Sequence, residues 1–158
     1  MLKNSEKFMQ NAIDIAKIGI QNNQTPFGAV IVKDGEIITS SHNQVWSTTD
    51  ITAHAEVTAI REACKKLNSV DLSGCVIYST CEPCPMCFSA IHWAKIDKIF
   101  YGATIEDAKK AGFNELEISN KTMKKLGKSK LKIKKRVLQK ECKELFNIWG
   151  AQENKKIY

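Results

Sequence analysis

The sequence predicts an α/β domain, specifically a three-layer α/β/α sandwich with a mixed five-stranded sheet. Short apolar runs of strand length alternate with longer stretches in which apolar residues recur at helical spacing. The chain has 158 residues, which suits one domain and is enough to bury one core. It contains no internal repeat and no linker-like stretch. We therefore predict a single domain over residues 1–158.

The individual elements follow in order along the chain. Residues 5–21 carry apolar side chains at helical spacing and predict an amphipathic helix. Asp34-Gly35 lies between two strand-like runs and indicates a tight hairpin turn. The polar stretch 41–52 predicts a loop. The other predicted elements are strands at 27–32, 36–40, 76–78, 98–102 and 131–138, and helices at 54–68, 85–93, 106–111 and 141–155.

Composition limits the classes of function that the chain can have. Hydrophobic residues make up 43% and charged residues 26%, as in an ordinary globular protein. No apolar run is long enough to span a bilayer, and the N-terminus lacks the apolar segment of a secretory signal. The chain has six cysteines, three of them at C-x-x-C-x-x-C spacing, which without an export signal indicates metal binding before disulfides. We therefore expect a reduced, cytoplasmic protein with no membrane partner.

Much of the excess positive charge behind the formal net charge of +7 lies in residues 121–136, which we call the lysine-rich segment. This segment holds eight lysines, one arginine and no acidic residue. Arginine is the usual residue for recognising phosphates and bases, and no aromatic residue is interleaved here to stack on bases. We interpret the segment as a solvated surface and do not expect a nucleic-acid partner.

Two short stretches hold the residues that suggest chemistry. The first places His54 two residues before Glu56, and the second places Cys84 and Cys87 three residues apart around a proline-marked helix start. Two cysteines at this spacing lie on one side of a helix's first turn, where the helix dipole favours thiolates. His54, Cys84 and Cys87 are thus candidate ligands for one Zn²⁺ per chain, with a bound water or hydroxide in the fourth position. Glu56 is the candidate catalytic proton carrier.

A structural zinc site is the alternative interpretation of these residues. Cys81 would then supply the fourth ligand, but a structural site gives no reason for a glutamate beside the histidine. We expect Cys81 to pack at a strand end, and the cysteines without metal spacing to be core thiols: Cys64, Cys75 and Cys142. The combination of H-x-E with P-C-x-x-C is the signature of zinc-dependent base deaminases.

Residues 52–60 and 81–90 resemble the cytidine and deoxycytidylate deaminase superfamily. Within it, most of the chain resembles the bacterial guanine deaminases. The agreeing stretches are Pro26 to Gly35, Ala53 to Arg61, Cys81 to Cys87, Ala111-Gly112-Phe113, and Asn154-Lys155-Lys156 with Tyr158. The resemblance implies a cytidine deaminase-like fold and the zinc-dependent hydrolysis of guanine to xanthine and ammonia, in purine catabolism or salvage.

The resemblance also implies a pocket for a purine base. Phe27 and Trp93 would flank the plane of the base, and Ala55 would contribute through its backbone. Asn43 would bind the polar edge of the ring, although by itself this residue is equally well explained as part of a turn.

An acidic residue after the Gly112-Phe113 turn would read the ring N–H groups of the base. Glu115 is at that position, with Asn114 as the alternative. The resemblance further implies a homodimer in which residues 141–158, a C-terminal helix and tail, cross to the partner and cap its site. Tyr158 would then contact the substrate. Glu141 or Glu144 is a further candidate for moving protons, and the sequence does not choose between them.

Three other functions compete with guanine deamination. A tRNA-specific adenosine deaminase shares the zinc residues, and Asp107-Ala108-Lys109 is similar to a loop of that family. However, the glycine- and serine-rich continuation of that loop and an arginine-rich tail are absent. The remaining alternatives are a deaminase of another small base or nucleoside, and a zinc module without enzymatic activity.

Overall fold

The computed structural model describes residues 3–158, and the described part contains five strands and seven helices. Their bounds are α1 Asn4–Gln21, β1 Gly28–Lys33, β2 Glu36–His42, α2 Val45–Thr48, α3 Ala55–Leu67, β3 Cys75–Cys81, α4 Pro85–Trp93, β4 Lys98–Ala103, α5 Ile105–Lys110, α6 Asn120–Leu126, β5 Lys132–Lys134 and α7 Gln139–Gly150. The strands form one sheet in the order β2-β1-β3-β4-β5. β1 is antiparallel to β2 and β3, whereas β3, β4 and β5 are parallel. The predicted mixed five-stranded sheet is confirmed.

Helices cover both faces of this sheet and bury two hydrophobic clusters. Successive side chains of a strand point to opposite faces, so Val30 of β1 joins one cluster and Ile31 joins the other. The first cluster lies under α1 and α7, which contribute side chains such as Ile13 and Leu145. The second lies under α3 and α4, which contribute side chains such as Ile60. The predicted three-layer sandwich is therefore confirmed.

Two glycines allow the first hairpin and the packing of the first helix. Asp34 and Gly35 both have positive φ angles, 51° and 80°, as a two-residue hairpin turn of type I′ requires, which confirms the predicted turn. Gly28 begins β1 directly beneath α1. A Cβ atom at this position would lie 2.1 Å from the carbonyl oxygen of Ala12. The helix therefore packs on the bare backbone of the strand.

The structure differs from the sequence-based prediction in three places. The stretch predicted as a loop at 41–52 contains the short helix α2. The last strand was predicted over 131–138, but β5 spans three residues because the chain turns away through left-handed conformations at Arg136 and Leu138. The helix α6 was not predicted, since its seven residues include three lysines and few apolar side chains.

The lysine-rich segment forms α6, the edge strand β5 and the turn between them. Its basic side chains are exposed except Lys124, and none lies within 4.0 Å of a carboxylate in the described residues. The ammonium of Lys134 lies 5.7 Å from the centre of the Phe100 ring, close enough for a cation–π contact. Among the described helices, none is long and apolar enough to cross a membrane.

Candidate active site

The two sequence motifs meet where two helices begin. His54 is the N-cap residue of α3 and Cys84 is the N-cap residue of α4, and both have extended backbone conformations. Pro85 occupies the first position of α4, where its fixed φ angle suits a helix and its missing N–H is not needed. Cys87 follows one turn later and is completely buried. The two helix starts therefore bring together three side chains from distant parts of the sequence.

The distances among these three side chains fit a zinc ion. Nδ1 of His54 lies 3.6 Å from Sγ of Cys84 and 3.5 Å from Sγ of Cys87. Tetrahedral zinc with ordinary bond lengths to sulfur and nitrogen requires about 3.6 Å between such ligand atoms. The three donor atoms lie within 4.8 Å of one another. The residues present therefore fit the metal that their types suggest.

The protonation of the thiols agrees with this assignment. A hydrogen bond from the Cys87 thiol, reinforced by His54, lowers the pKa of Cys84 to about 4 despite burial. The neighbouring Cys84 thiolate and burial raise the pKa of Cys87 well above its usual value. Without a metal, the pair thus shares one proton and already presents one thiolate. Zinc ligation requires thiolates, so binding would release the remaining proton.

Glu56 lies beside the proposed ligands in the first turn of α3. Its side chain is buried, and Oε1 accepts a hydrogen bond of 2.9 Å from the hydroxyl of Ser79 on β3. Burial, and then the Cys84 thiolate, raise the pKa of the Glu56 carboxyl. A carboxyl group held in place with a raised pKa suits proton transfer near neutral pH. Sequence reasoning missed Ser79, because its contact with Glu56 depends on how α3 packs on the sheet.

A cavity of about 340 Å³ opens next to these residues. Its lining includes most residues predicted for the site: Phe27, Asn43, His54, Glu56, Cys84, Asn114, Glu115 and Tyr158. The side chain of Ala55 is buried and does not line the cavity. As the first residue of α3, Ala55 has an N–H group without an acceptor in its own helix. The backbone role predicted for it stays a prediction.

Asn43 is fully buried, and the structure shows the turn that its residue type suggests, whereas its contact with a base stays a prediction. Its Oδ1 accepts a hydrogen bond of 3.1 Å from the N–H of Val45, which forms a local turn. Its Nδ2 donates to the hydroxyl of Tyr158 at 2.6 Å. The Tyr158 ring centre lies 5.6 Å from that of His54, so the C-terminal tail covers the cavity of its own chain.

Glu115 reaches the cavity from the irregular segment between α5 and α6. Burial, followed by the charges of Cys84 and Glu56, raises the pKa of its carboxyl to about 8. Its Oε2 is buried and has no hydrogen-bond partner within the described residues. Asn114, the alternative to Glu115, also lines the cavity but is exposed.

The structure does not place Trp93 in the cavity of its own chain, and its predicted position beside the base stays a prediction. Trp93 is the last residue of α4 and is 82% exposed. Six residues separate it from Cys87, which is about 9 Å along a helix and on a different face. Phe113 lines the cavity instead, with its ring centre 4.9 Å from that of Phe27 in an edge-to-face arrangement. Sequence reasoning quoted Phe113 only as part of a motif.

The two carboxylates proposed as further proton carriers also lie elsewhere. Glu141 and Glu144 are exposed on α7, and neither lines the cavity. Glu144 accepts a hydrogen bond of 2.8 Å from Asn147 on the same helix. The cavity contains a different additional carboxylate, Glu82, which is buried at the end of β3.

Comparisons with known proteins agree with this geometry. Residues 2–103 match the family described as the cytidine and deoxycytidylate deaminase zinc-binding region. The guanine deaminase of Bacillus subtilis is 50% identical over 113 residues, which cover 71% of this chain and 72% of that protein. A tRNA-specific adenosine deaminase of Aquifex aeolicus is 46% identical over 98 residues, covering 62% and 65% of the two chains.

Solved structures with the same fold include members of both groups. A guanine deaminase from Nitrosomonas europaea has a TM-score of 0.86 and 25% identity, covering 93% of this chain and 85% of its own. A structure from a study of tRNA:A34 deaminases has a TM-score of 0.77 and 30% identity, covering 88% and 98%. With the family match, these similarities confirm the cytidine deaminase-like fold. The chain therefore belongs to the cytidine and deoxycytidylate deaminase superfamily and is a deaminase.

Proposed function

We propose that this deaminase acts on guanine, which it hydrolyses to xanthine and ammonia with one zinc ion per subunit. The observation that carries the proposal is the carboxyl group of Glu115. It faces the cavity beside the zinc-binding residues, and one of its oxygens is buried without a hydrogen-bond partner. A buried polar atom in this condition costs about 1–3 kcal/mol, which a complementary ligand would recover.

Guanine has hydrogen-bond donors that complement the Glu115 carboxyl group. It carries two adjacent N–H donors, at N1 and at the exocyclic amine on C2, and a carboxylate accepts two such bonds side by side. These donors favour the ionised form, so bound guanine would lower the Glu115 pKa, which burial raises to about 8 without a ligand. Adenine presents an acceptor and a C–H group along the same edge. The 50% identity to the B. subtilis guanine deaminase supports the same assignment. So do the structural neighbours, whose complexes contain 8-azaguanine and 2,6-diaminopurine.

The chain's own residues account for binding and proton transfer. Phe27 and Phe113 form an apolar wall for the flat base, and the Asn43 amide, which already donates one N–H to Tyr158, would offer its second N–H to the polar edge. The chemistry that zinc would supply between His54 and the two cysteines is activation of a water molecule. Glu56 would take a proton from the attacking water and pass it to a ring nitrogen, and would then move the proton of the newly formed hydroxyl to the amine, which leaves C2 as ammonia.

We also propose that the protein is a cytoplasmic homodimer. The exposed side of α4 carries the apolar side chains of Met86 and Trp93, which are 38% and 82% exposed. A partner subunit that covers this face would bury both side chains and bring Trp93 toward a neighbouring site. The Tyr158 tail is placed so that it contacts the cavity in one chain, and an exchange of tails would make the same contacts between subunits. All six cysteines are free, as expected in a reducing compartment.

Deamination of adenosine in tRNA is the second candidate function. The A. aeolicus relative at 46% identity supports it, as do the unpaired positive charges of the lysine-rich segment. Those charges would lie along the RNA backbone if this function were correct, and binding would then weaken steeply with salt. The unpartnered oxygen of Glu115 needs a hydrogen-bond donor, which the N1 and C2 edge of guanine offers and that of adenine does not, and this favours guanine.

Ammonia release from zinc-loaded protein distinguishes the two. The panel contains guanine, guanosine, adenine, cytosine and an adenosine-containing tRNA stem-loop. We expect xanthine from guanine and no inosine in the RNA, whereas activity on the stem-loop alone would contradict the proposal. Glu56→Ala should keep one zinc per chain and lose turnover, while full activity in this variant would rule out the mechanism. If neither the wild type nor Glu56→Ala releases ammonia from any substrate, a non-enzymatic zinc module would be favoured.

A further inference from the structure

Glu82 is a buried carboxylate that the proposed chemistry does not use. It lies between the end of β3 and the Cys84 ligand, is 6% exposed, and lines the cavity. Its own N–H donates to the carbonyl of Ala103 at 2.8 Å, which fixes its backbone to the end of β4. Such a group is normally retained inside a protein only when hydrogen bonds satisfy it.

Two helix starts satisfy this carboxylate. Oε1 accepts a hydrogen bond of 2.9 Å from the N–H of Asn120, the first residue of α6, and Oε2 accepts one of 3.4 Å from the N–H of Ile105, the first residue of α5. Both N–H groups lack partners within their own helices because they lie in the first turn. One side chain therefore holds two helices against the segment that carries the cysteine ligands.

Asn120 completes the connection from the other side. It is fully buried, and its Nδ2 donates to the carbonyl of Pro83 at 2.6 Å, the residue between Glu82 and Cys84. Its Oδ1 is buried without a partner, so the side chain is oriented by the one bond to Pro83. Asn120 thus donates two hydrogen bonds to the cysteine segment, one to the Glu82 side chain and one to the Pro83 carbonyl, and we call this arrangement the Glu82–Asn120 clamp.

The clamp lies at one end of the segment that bears Glu115. Residues 113–119 have no regular secondary structure, and they connect α5 to α6. At their beginning, the N–H of Phe113 donates to the carbonyl of Ala108 in α5 at 3.1 Å. At their end, the clamp fixes the chain to the cysteine segment. The position of the Glu115 carboxyl relative to Cys84 therefore depends on both anchors.

We propose that Glu82 and Asn120 are positioning residues that set base selection by holding Glu115 at a fixed place opposite the metal-binding residues. The inference rests on the proposed guanine deaminase function, since it assigns to Glu115 the reading of the base. In addition, the contacts of Glu82 and Asn120 determine where the Glu115 carboxyl lies. Neither clamp residue needs to touch the substrate for this role.

Kinetics of Asn120→Ala test the proposal, with Ser119→Ala as the control. The control removes the N-cap hydrogen bond of α6 and leaves the clamp intact. We expect Asn120→Ala to raise KM for guanine about tenfold, because one buried hydrogen bond is lost. The change in kcat should be much smaller, and the protein should still bind one zinc per chain. In a Glu115→Gln background, Asn120→Ala should raise KM little further, because both substitutions act through the Glu115 side chain. Equal effects in both backgrounds would overturn the proposal.

Limited proteolysis gives a readout that does not depend on the substrate. A glutamate-specific protease cleaves after Glu115 and Glu117, and cleavage requires the segment to open. We expect about tenfold faster cleavage at these two sites in Asn120→Ala and in Glu82→Gln than in Ser119→Ala. Cleavage that is unchanged, or that increases equally throughout the chain, would overturn the clamp. A wild-type protein inactive on guanine would refute only the proposed function, and the proteolysis would still decide on the clamp.

Discussion

The pH dependence of stability tests the environment of Glu115 directly. Its folded-state pKa is about 8 against an ordinary value of 4.5, so the fold favours the protonated carboxyl. The contribution of Glu115 to the stability of the fold is largest below its ordinary pKa and is lost as the pH rises through about 8. At 1.36 kcal/mol per pKa unit, the loss has a ceiling of about 5 kcal/mol. In a chain of this size, that corresponds to a change in Tm of the order of 10 °C.

The experiment compares metal-free wild type with Glu115→Gln at pH 5 and pH 8. Chemical denaturation gives the free energy of unfolding at each pH. His54 and Glu56 also have raised pKa values, but they titrate in both proteins and largely cancel in the difference. We expect the variant to gain about 3–5 kcal/mol relative to wild type between the two pH values. Glu117→Gln removes an exposed carboxyl nearby as the control. Equal pH slopes in wild type and Glu115→Gln would refute the reasoning.

Three further predictions follow from individual contacts. In metal-free protein at pH 6, brief treatment with iodoacetamide should modify Cys84 before Cys87, because the pKa of Cys84 is about 4. Zinc should protect both cysteines. Equal labelling of the two, measured by mass spectrometry, would contradict a proton shared between them. Ser79→Ala should leave the zinc content unchanged but lower kcat about tenfold, because Glu56 loses its 2.9 Å hydrogen bond, and an unaltered kcat would show that this bond is dispensable. Gly28→Ala should destabilise the fold by at least about 2 kcal/mol in denaturant titrations, because a Cβ would lie 2.1 Å from a carbonyl oxygen of α1.

The sequence was sufficient where function depends on local spacing. The ligand residues Cys84 and Cys87 share one helical turn, and His54 and Glu56 share the start of another helix. Such short-range patterns do not depend on how the strands are arranged in the sheet. The hairpin at Asp34-Gly35 is local in the same sense, because only a few residue types tolerate its backbone angles.

Contacts between distant elements could not be predicted in this way. Ser79 meets Glu56 only because α3 packs on a particular face of β3, and Asn120 begins a helix that its lysine-rich composition conceals. Trp93 lies outside the cavity of its own chain, because the direction of a residue on α4 depends on which side of the helix is buried. The segment that bears Glu115 ends at a long-range hydrogen bond from Asn120 to Glu82, which neither residue type nor spacing reveals.

The short edge strand β5 also affects how copies of the protein can associate. An exposed edge offers free backbone hydrogen-bonding groups that recruit further strands and lead to aggregation. β5 has only three residues, and its two outer ones, Lys132 and Lys134, are exposed lysines. Adding a copy by extending the sheet at this edge would place like charges against each other. The two exposed lysines of β5 would therefore oppose polymerisation through this edge, and neutralising them by acetylation would weaken that effect.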